Sequence, residues 1–188
     1  MADERYDRKE LFLRGLAFLK RRLAAAVEKR VDVVPRLHLR PPGALVESLF
    51  LSTCEGCSAC ALACPHGAIR LVGGASAHAD CTPAIIPAQA PCRLCPDVPC
   101  SRACPTGALV PIVKEDIKIG LAVVSREICR AWLCDPCDAC GRTCPIGNRA
   151  LVQESGQGPR VIEDGCTGCG LCTHVCPTSP RAIRIKPI

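Results

Sequence analysis

The sequence predicts an α+β protein: two modules of short hairpins and cysteine-bearing loops, preceded by an N-terminal amphipathic helix. Three observations predict it. Cysteine supplies 18 of the 188 residues. Sixteen of those cysteines recur in four closely similar spacings. The first 30 residues carry no cysteine and show helical periodicity instead. Composition also says what the interior is not. Only five residues are aromatic (Tyr6, Phe12, Phe18, Phe50 and Trp132), so large rings do not organise the body. Hydrophobic content of 48% excludes general disorder. No apolar run approaches the ~18 residues of a membrane span.

In the N-terminal segment Phe12, Leu16, Leu19, Leu23 and Val27 recur at three- and four-residue steps, one apolar face of a helix. Arg14, Lys20, Arg21, Arg22, Lys29 and Arg30 fill much of the remaining surface. Residues 1–40 hold eleven Lys/Arg against six Asp/Glu, so +5 of the formal +6 resides there. Residues 1–40 are therefore read as a basic helical segment and linker, and 41–188 as the cysteine-bearing domain. A basic amphipathic helix packs on its own domain, docks to a partner or lies on an anionic membrane surface. Nucleic acid is not an expected partner, because aromatics are few and no binding motif occurs. Asp7 to Arg14 looks like a worn twin-arginine motif, but Lys20, Arg21 and Arg22 break the apolar run that export needs. The expected location is the cytoplasm, with peripheral membrane association through residues 1–40; periplasmic export is the alternative. A reducing cytoplasm disfavours disulfides and favours metal-bound thiolates.

The repeats carry the chemistry. The first is Cys54-x2-Cys57-x2-Cys60-x3-Cys64-Pro65 and the second Cys92-x2-Cys95-x4-Cys100-x3-Cys104-Pro105. The third is Cys134-x2-Cys137-x2-Cys140-x3-Cys144-Pro145 and the fourth Cys166-x2-Cys169-x2-Cys172-x3-Cys176-Pro177. This is the bacterial ferredoxin run for a [4Fe-4S] cluster. Three cysteines at three-residue steps wrap a tight loop around one face of a cubane. The fourth, just before proline, leaves the loop and reaches a neighbouring cluster. Structural zinc sites use separate Cys-x(2–4)-Cys knuckles, not a triple run followed by Cys-Pro. Sixteen thiols thus imply four [4Fe-4S] clusters in two ferredoxin-like dicluster modules. Cys81 and Cys129 fall outside the regular count.

Short apolar runs between the loops read as strands and turns. They are Ala68–Val72, Ala108–Val113, Gly120–Val124, Val161-Ile162 and Ala182–Ile185. No Gly-rich phosphate loop, nucleophile–base pair or acid pair is present, so the chain reads as an electron carrier rather than an enzyme. It passes electrons between a donor and an acceptor oxidoreductase; an assembly or maturation factor for a partner reductase is the rival reading. His66 and His174 lie in cluster loops, either as solvated residues or as groups that tune potential. Trp132 is expected to wall the third cluster from water.

Several stretches carry a more specific likeness. They are Thr82–Pro87, Pro91–Cys100, Ala103–Leu109, Gly120–Val124, Cys129–Trp132 and Cys166–Thr178. They resemble the NapG/MauM group of ferredoxin-type proteins, encoded with periplasmic nitrate reductase and methylamine dehydrogenase. The resemblance covers roughly residues 50–188 and implies a four-cluster ferredoxin. In that family the third repeat's first ligand tends to sit where Cys129 sits, whereas regular spacing selects Cys134; both are carried as candidates. Cys81 stands where the family usually has glycine, and is read as a small buried residue. The wider four-cluster electron-transfer subunits nest their repeats, second with third and first with fourth. The longer Cys95–Cys100 step inclines the reading towards that form over tandem pairing.

Overall fold

Each cysteine run folds as a loop ending in one short helix. The computed structural model describes residues 34–73, 81–154 and 156–188. The expected amphipathic helix therefore lies outside the described residues. Helix α1 (Glu47–Thr53) leads directly into Cys54. The four loop helices are α2 (Ala59–Leu62), α3 (Pro99–Arg102), α4 (Ala139–Thr143) and α5 (Leu171–Val175). Each carries the third cysteine of its run, and Cys60, Cys100, Cys140 and Cys172 are all buried. Turning three thiols inward over so few residues needs left-handed joints. Ser58, Val98 and Gly170, at φ 67°, 42° and 85°, supply them before α2, α3 and α5. Glycine adopts this region freely; a β-branched valine there costs about 1–3 kcal/mol. Val98 sits inside the longer Cys95–Cys100 step, and full burial of its side chain offsets the strain. Helices α4 and α5 stop where proline dictates. Cys144 and Cys176 turn to extended backbone, as a residue before proline must.

Three two-stranded antiparallel sheets join the loops. Strand β1 (Ile69–Val72) pairs with β2 (Thr82–Ile85), from Ile69 opposite Ile85 to Val72 opposite Thr82. Strands β4 (Leu151–Val152) and β5 (Arg160–Val161) form a smaller ladder. Strand β3 (Gly120–Val124) pairs with β6 (Ile183–Pro187), Gly120 opposite Pro187. This last pair is not a local hairpin between loops, as the sequence suggested. It joins the two ends of the second half of the domain. Ala108–Val113 does not form a strand either. Leu109 makes one bridge with Ala44, and Pro111 has no N–H to extend a ladder.

Apolar side chains pack between the loops rather than in a separate layer. One cluster gathers Phe50, Val98, Leu109, Ile117 and Ile119 beside Cys60, Cys92, Cys100 and Cys169. A second holds Ala122, Leu151 and Ile183 beside Cys140, Cys166 and Cys172. Ile146 and Ile185 pack against both. Cysteine thus contributes to both cores in place of rings. Pro35–Ile188 is one unit, so residues 35–40, grouped with the N-terminal segment by charge, belong to the body. Arg40 shows why. It is 2% exposed and chelates Glu47 with Nε and Nη2 while its Nη1 donates to Thr82 Oγ1 at 2.8 Å and Pro83 O at 3.0 Å. Its guanidinium also covers the Phe50 ring at 4.6 Å. Among the described residues no helix is long and apolar enough to cross a membrane.

Candidate metal centres

Helix α2 packs against α3, and α4 against α5. Each pair exchanges the cysteine that follows its helix. Cys104 comes close enough to Cys54 and Cys60 to act on both electrostatically, as does Cys57; these four thiols make site 1. Cys64 joins Cys92, Cys95 and Cys100 around an apolar hollow, site 2. Cys176 joins Cys129, Cys137 and Cys140, site 3. Cys144 joins Cys166, Cys169 and Cys172, site 4. The pairing is tandem, first repeat with second and third with fourth. The nested form favoured by the sequence reading is corrected. A fourth cysteine leaving a helix reaches only the loop packed against that helix, and the helices pair in chain order.

The sites also have a linear order. The short x3 steps from Cys60 to Cys64 and Cys140 to Cys144 couple site 1 to 2 and site 3 to 4. Sites 2 and 4 meet through the main chain, where the Cys92 N–H donates to Cys169 O at 2.9 Å. Ile119 N–H donates to Thr167 O at the same distance and steadies that junction. The series therefore runs 1, 2, 4, 3.

Cys129, not Cys134, stands with the site 3 thiols. Its side chain is buried at 8% exposure and lines the hollow. Cys134 ends the 3₁₀ turn Arg130–Leu133 in a left-handed conformation (φ 62°) and is exposed. It lines an open cleft with Asp135, Asp138 and Glu154, which Cys137 also borders, and does not line the site 3 hollow. The 3₁₀ turn lies between Cys129 and Cys134, so regular spacing does not carry Cys134 into the hollow. Cys81 is exposed, against the expectation of burial. Its carbonyl packs on the site 1 loop, where a Cβ at Gly56 would come within 2.6 Å of it. Trp132 faces Gly158, beneath the Arg126 guanidinium at 4.3 Å, and does not line the site 3 hollow; Arg130 and Ala131 of the same turn do. His66 is exposed at the rim of site 2, and His174 is half-buried with Nδ1 unpartnered.

The donor set fits iron–sulfur chemistry. Among the described residues no three His, Cys, Asp or Glu side chains gather tightly enough for a single ion. At sites 2, 3 and 4 the thiols stand around hollows lined by apolar groups, room a polynuclear centre needs. Backbone N–H groups point at sulfur: Ala68 to Cys64 and Leu109 to Cys104 at 3.4 Å, Ala122 to Cys166 at 3.5 Å. Such donors stabilise thiolate charge. Burial pushes the Cys60, Cys92 and Cys140 thiols up to about 11, and Cys100 and Cys172 up to about 12. These thiols hold their protons at neutral pH until a metal displaces them. Cys104 and Cys176 go the other way. Burial, the largest single influence, raises both, but hydrogen bonds together outweigh it; Leu109 and Thr106 lead for Cys104, Thr178 for Cys176. Sequence reasoning missed these threonines. The signal was present: both follow a Cys-Pro, in the second and fourth repeats only. Missed too was Arg181, whose guanidinium donates to Cys176 O at 2.7 Å and His174 O at 2.9 Å and fastens the α5 exit.

Comparison with known proteins agrees with this chemistry. A 4Fe-4S binding domain matches residues 49–70 and a 4Fe-4S dicluster domain matches residues 133–179. Ferredoxin-type protein NapG of Escherichia coli is 35% identical over 88% of this chain and 78% of its own length. Methylamine utilization ferredoxin-type protein MauM of Paracoccus denitrificans is 39% identical over 92% of this chain and 82% of its own. MauM of Methylophilus methylotrophus is 42% identical over 79% and 70%. With buried thiols in cluster loops and relatives matched over most of their length, the chain belongs to the NapG/MauM family of ferredoxin-type iron–sulfur proteins of electron transport.

Proposed function

We propose that the chain holds four [4Fe-4S] clusters, one at each site, and carries electrons between a donor and an acceptor redox protein. The tandem exchange of the fourth thiol carries this reading, because it completes four-thiol sets at all four sites and leaves two cysteines over. The proposed ligands are Cys54, Cys57, Cys60 and Cys104; Cys92, Cys95, Cys100 and Cys64; Cys129, Cys137, Cys140 and Cys176; and Cys166, Cys169, Cys172 and Cys144. Bound there, each cluster supplies a one-electron centre of low reorganisation.

The protein's part is placement. Main-chain contact between Cys92 and Cys169 supports a continuous series rather than two separate pairs. Sites 1 and 3 are then the ends, where partners dock. At site 1 Cys57 is exposed and Leu62, beside the loop, is 85% exposed. An apolar contact beside a terminal site suits a transient redox complex. The test is metal analysis on anaerobically purified protein. About sixteen irons and sixteen sulfides per chain, reducible and reoxidisable without loss, are expected. Zinc without sulfide, or about eight irons, would overturn the reading.

A further inference from the structure

The two Cys-Pro-Thr segments set a hydroxyl beside the exchanged thiol of two sites, and at site 4 Thr167 hydrogen-bonds a loop thiol, Cys169. Thr178 Oγ1 stands 3.3 Å from Cys176 Sγ, and Thr106 Oγ1 stands 3.6 Å from Cys104 Sγ. Either atom of each pair could donate in the bare chain. Two facts settle the direction once sulfur binds iron. A metal-bound thiolate has no proton to give. Each hydroxyl oxygen already accepts from the main chain, from Ala182 N–H at 2.8 Å and from Ala108 N–H at 3.4 Å. The hydroxyl proton is therefore free to point at sulfur. The corresponding residues of the first and third repeats are His66 and Ile146, which carry no hydroxyl. Backbone N–H groups reach these sulfurs too, from Ala68 to Cys64 and from Leu109 to Cys104, and the hydroxyls act in addition to them.

Cys104 belongs to site 1 and Cys176 to site 3, the two ends of the series. Cys64 and Cys144 belong to the inner sites 2 and 4. We propose that Thr106 and Thr178 are positioning residues, each raising the reduction potential of the terminal cluster it faces above the value that cluster would have without the hydroxyl. The proposal rests on the four-cluster reading given above. Reduction adds one electron to a cluster and breaks no bond, and part of the added charge falls on the thiolates. A hydroxyl donor stabilises that charge more in the reduced state than in the oxidised state, which moves the potential upward.

The test is a mediated redox titration of the full-chain holoprotein, followed by electron paramagnetic resonance. Thr106→Val and Thr178→Val keep shape and lose the hydroxyl; Thr106→Ser and Thr178→Ser keep it. Each valine variant is expected to shift one cluster's midpoint downward, a different one in each, with the other three unmoved. The serine variants are expected to match the parent. Full iron content with no midpoint shift, or an equal shift in serine and valine variants, overturns the proposal. Should the valine proteins lose iron, Thr106→Ala and Thr178→Ala carry the same titration. Loss of iron in those as well would show a purely structural role and end the idea. Iron and sulfide of the parent protein are measured first; a parent without four clusters counts against the four-cluster reading, not against the threonines.

Discussion

Cys129→Ser is expected to remove one cluster, and Cys134→Ser to remove none. The two residues are five apart, and both fit a ligand pattern on paper. Their environments differ sharply. The Cys129 thiol is enclosed with Cys137, Cys140 and Cys176, whereas Cys134 faces an open acidic cleft. Reaching site 3 from Cys134 would require unwinding the 3₁₀ turn and reversing a left-handed residue. Iron in Cys129→Ser should fall from about sixteen to about twelve per chain. Iron in Cys134→Ser should be unchanged, and one thiol fewer should react with a surface-directed reagent. The reverse pattern, or retention of all iron in Cys129→Ser, would refute the assignment. Pairing is tested the same way. Cys104→Ser should perturb the cluster held by Cys54, Cys57 and Cys60, while Cys64→Ser perturbs the one held by Cys92, Cys95 and Cys100.

Much of the centre was legible in the sequence, because cluster ligation is local. A loop of three cysteines at fixed steps needs only its own backbone to aim three thiols, so those positions follow from spacing. The fourth thiol answers to a different constraint. Its destination depends on which helices pack together, and nothing within Cys-x3-Cys-Pro states that α2 pairs with α3. Regular spacing does not bring Cys134 to the site 3 hollow, because a 3₁₀ turn, in which Trp132 packs on Gly158 and Arg126, intervenes. Strands follow the sequence in proportion to their locality. Ile69–Val72 and Gly120–Val124 formed as their apolar runs suggest, but the partner of β3 lies more than fifty residues away. Arg40 was the largest surprise. Within a basic N-terminal stretch it reads as one more solvated cation, and only the fold brings Glu47 and Thr82 around it.

Arg40→Ala is accordingly expected to destabilise the body by about 3 kcal/mol, the low end of the cost of breaking a buried ion pair, because Arg36 Nε, 3.9 Å from Glu47 Oε2, still offers the carboxylate a cation. An exposed ion pair would be worth about 1 kcal/mol or less. Burial decides between the two, since Arg40 and Glu47 are 2% and 5% exposed. Loss of the stacking on Phe50 and of the donors to Thr82 and Pro83 adds to the penalty. A double variant, Arg40→Met with Glu47→Leu, should recover most of the stability, because it removes both charges rather than stranding one. Anaerobic urea titration of the holoprotein, followed by far-ultraviolet circular dichroism, measures both. A shift under about 1 kcal/mol for Arg40→Ala would mean that water reaches the pair. The consequence for the metal is specific. Helix α1 runs from Glu47 into Cys54, so the element that Arg40 anchors also delivers the first thiol of site 1. In mild urea Arg40→Ala should release about four irons before the rest. They should come from the same cluster that Cys104→Ser perturbs, because both substitutions act on site 1, one through its anchor and the other through its exchanged thiol.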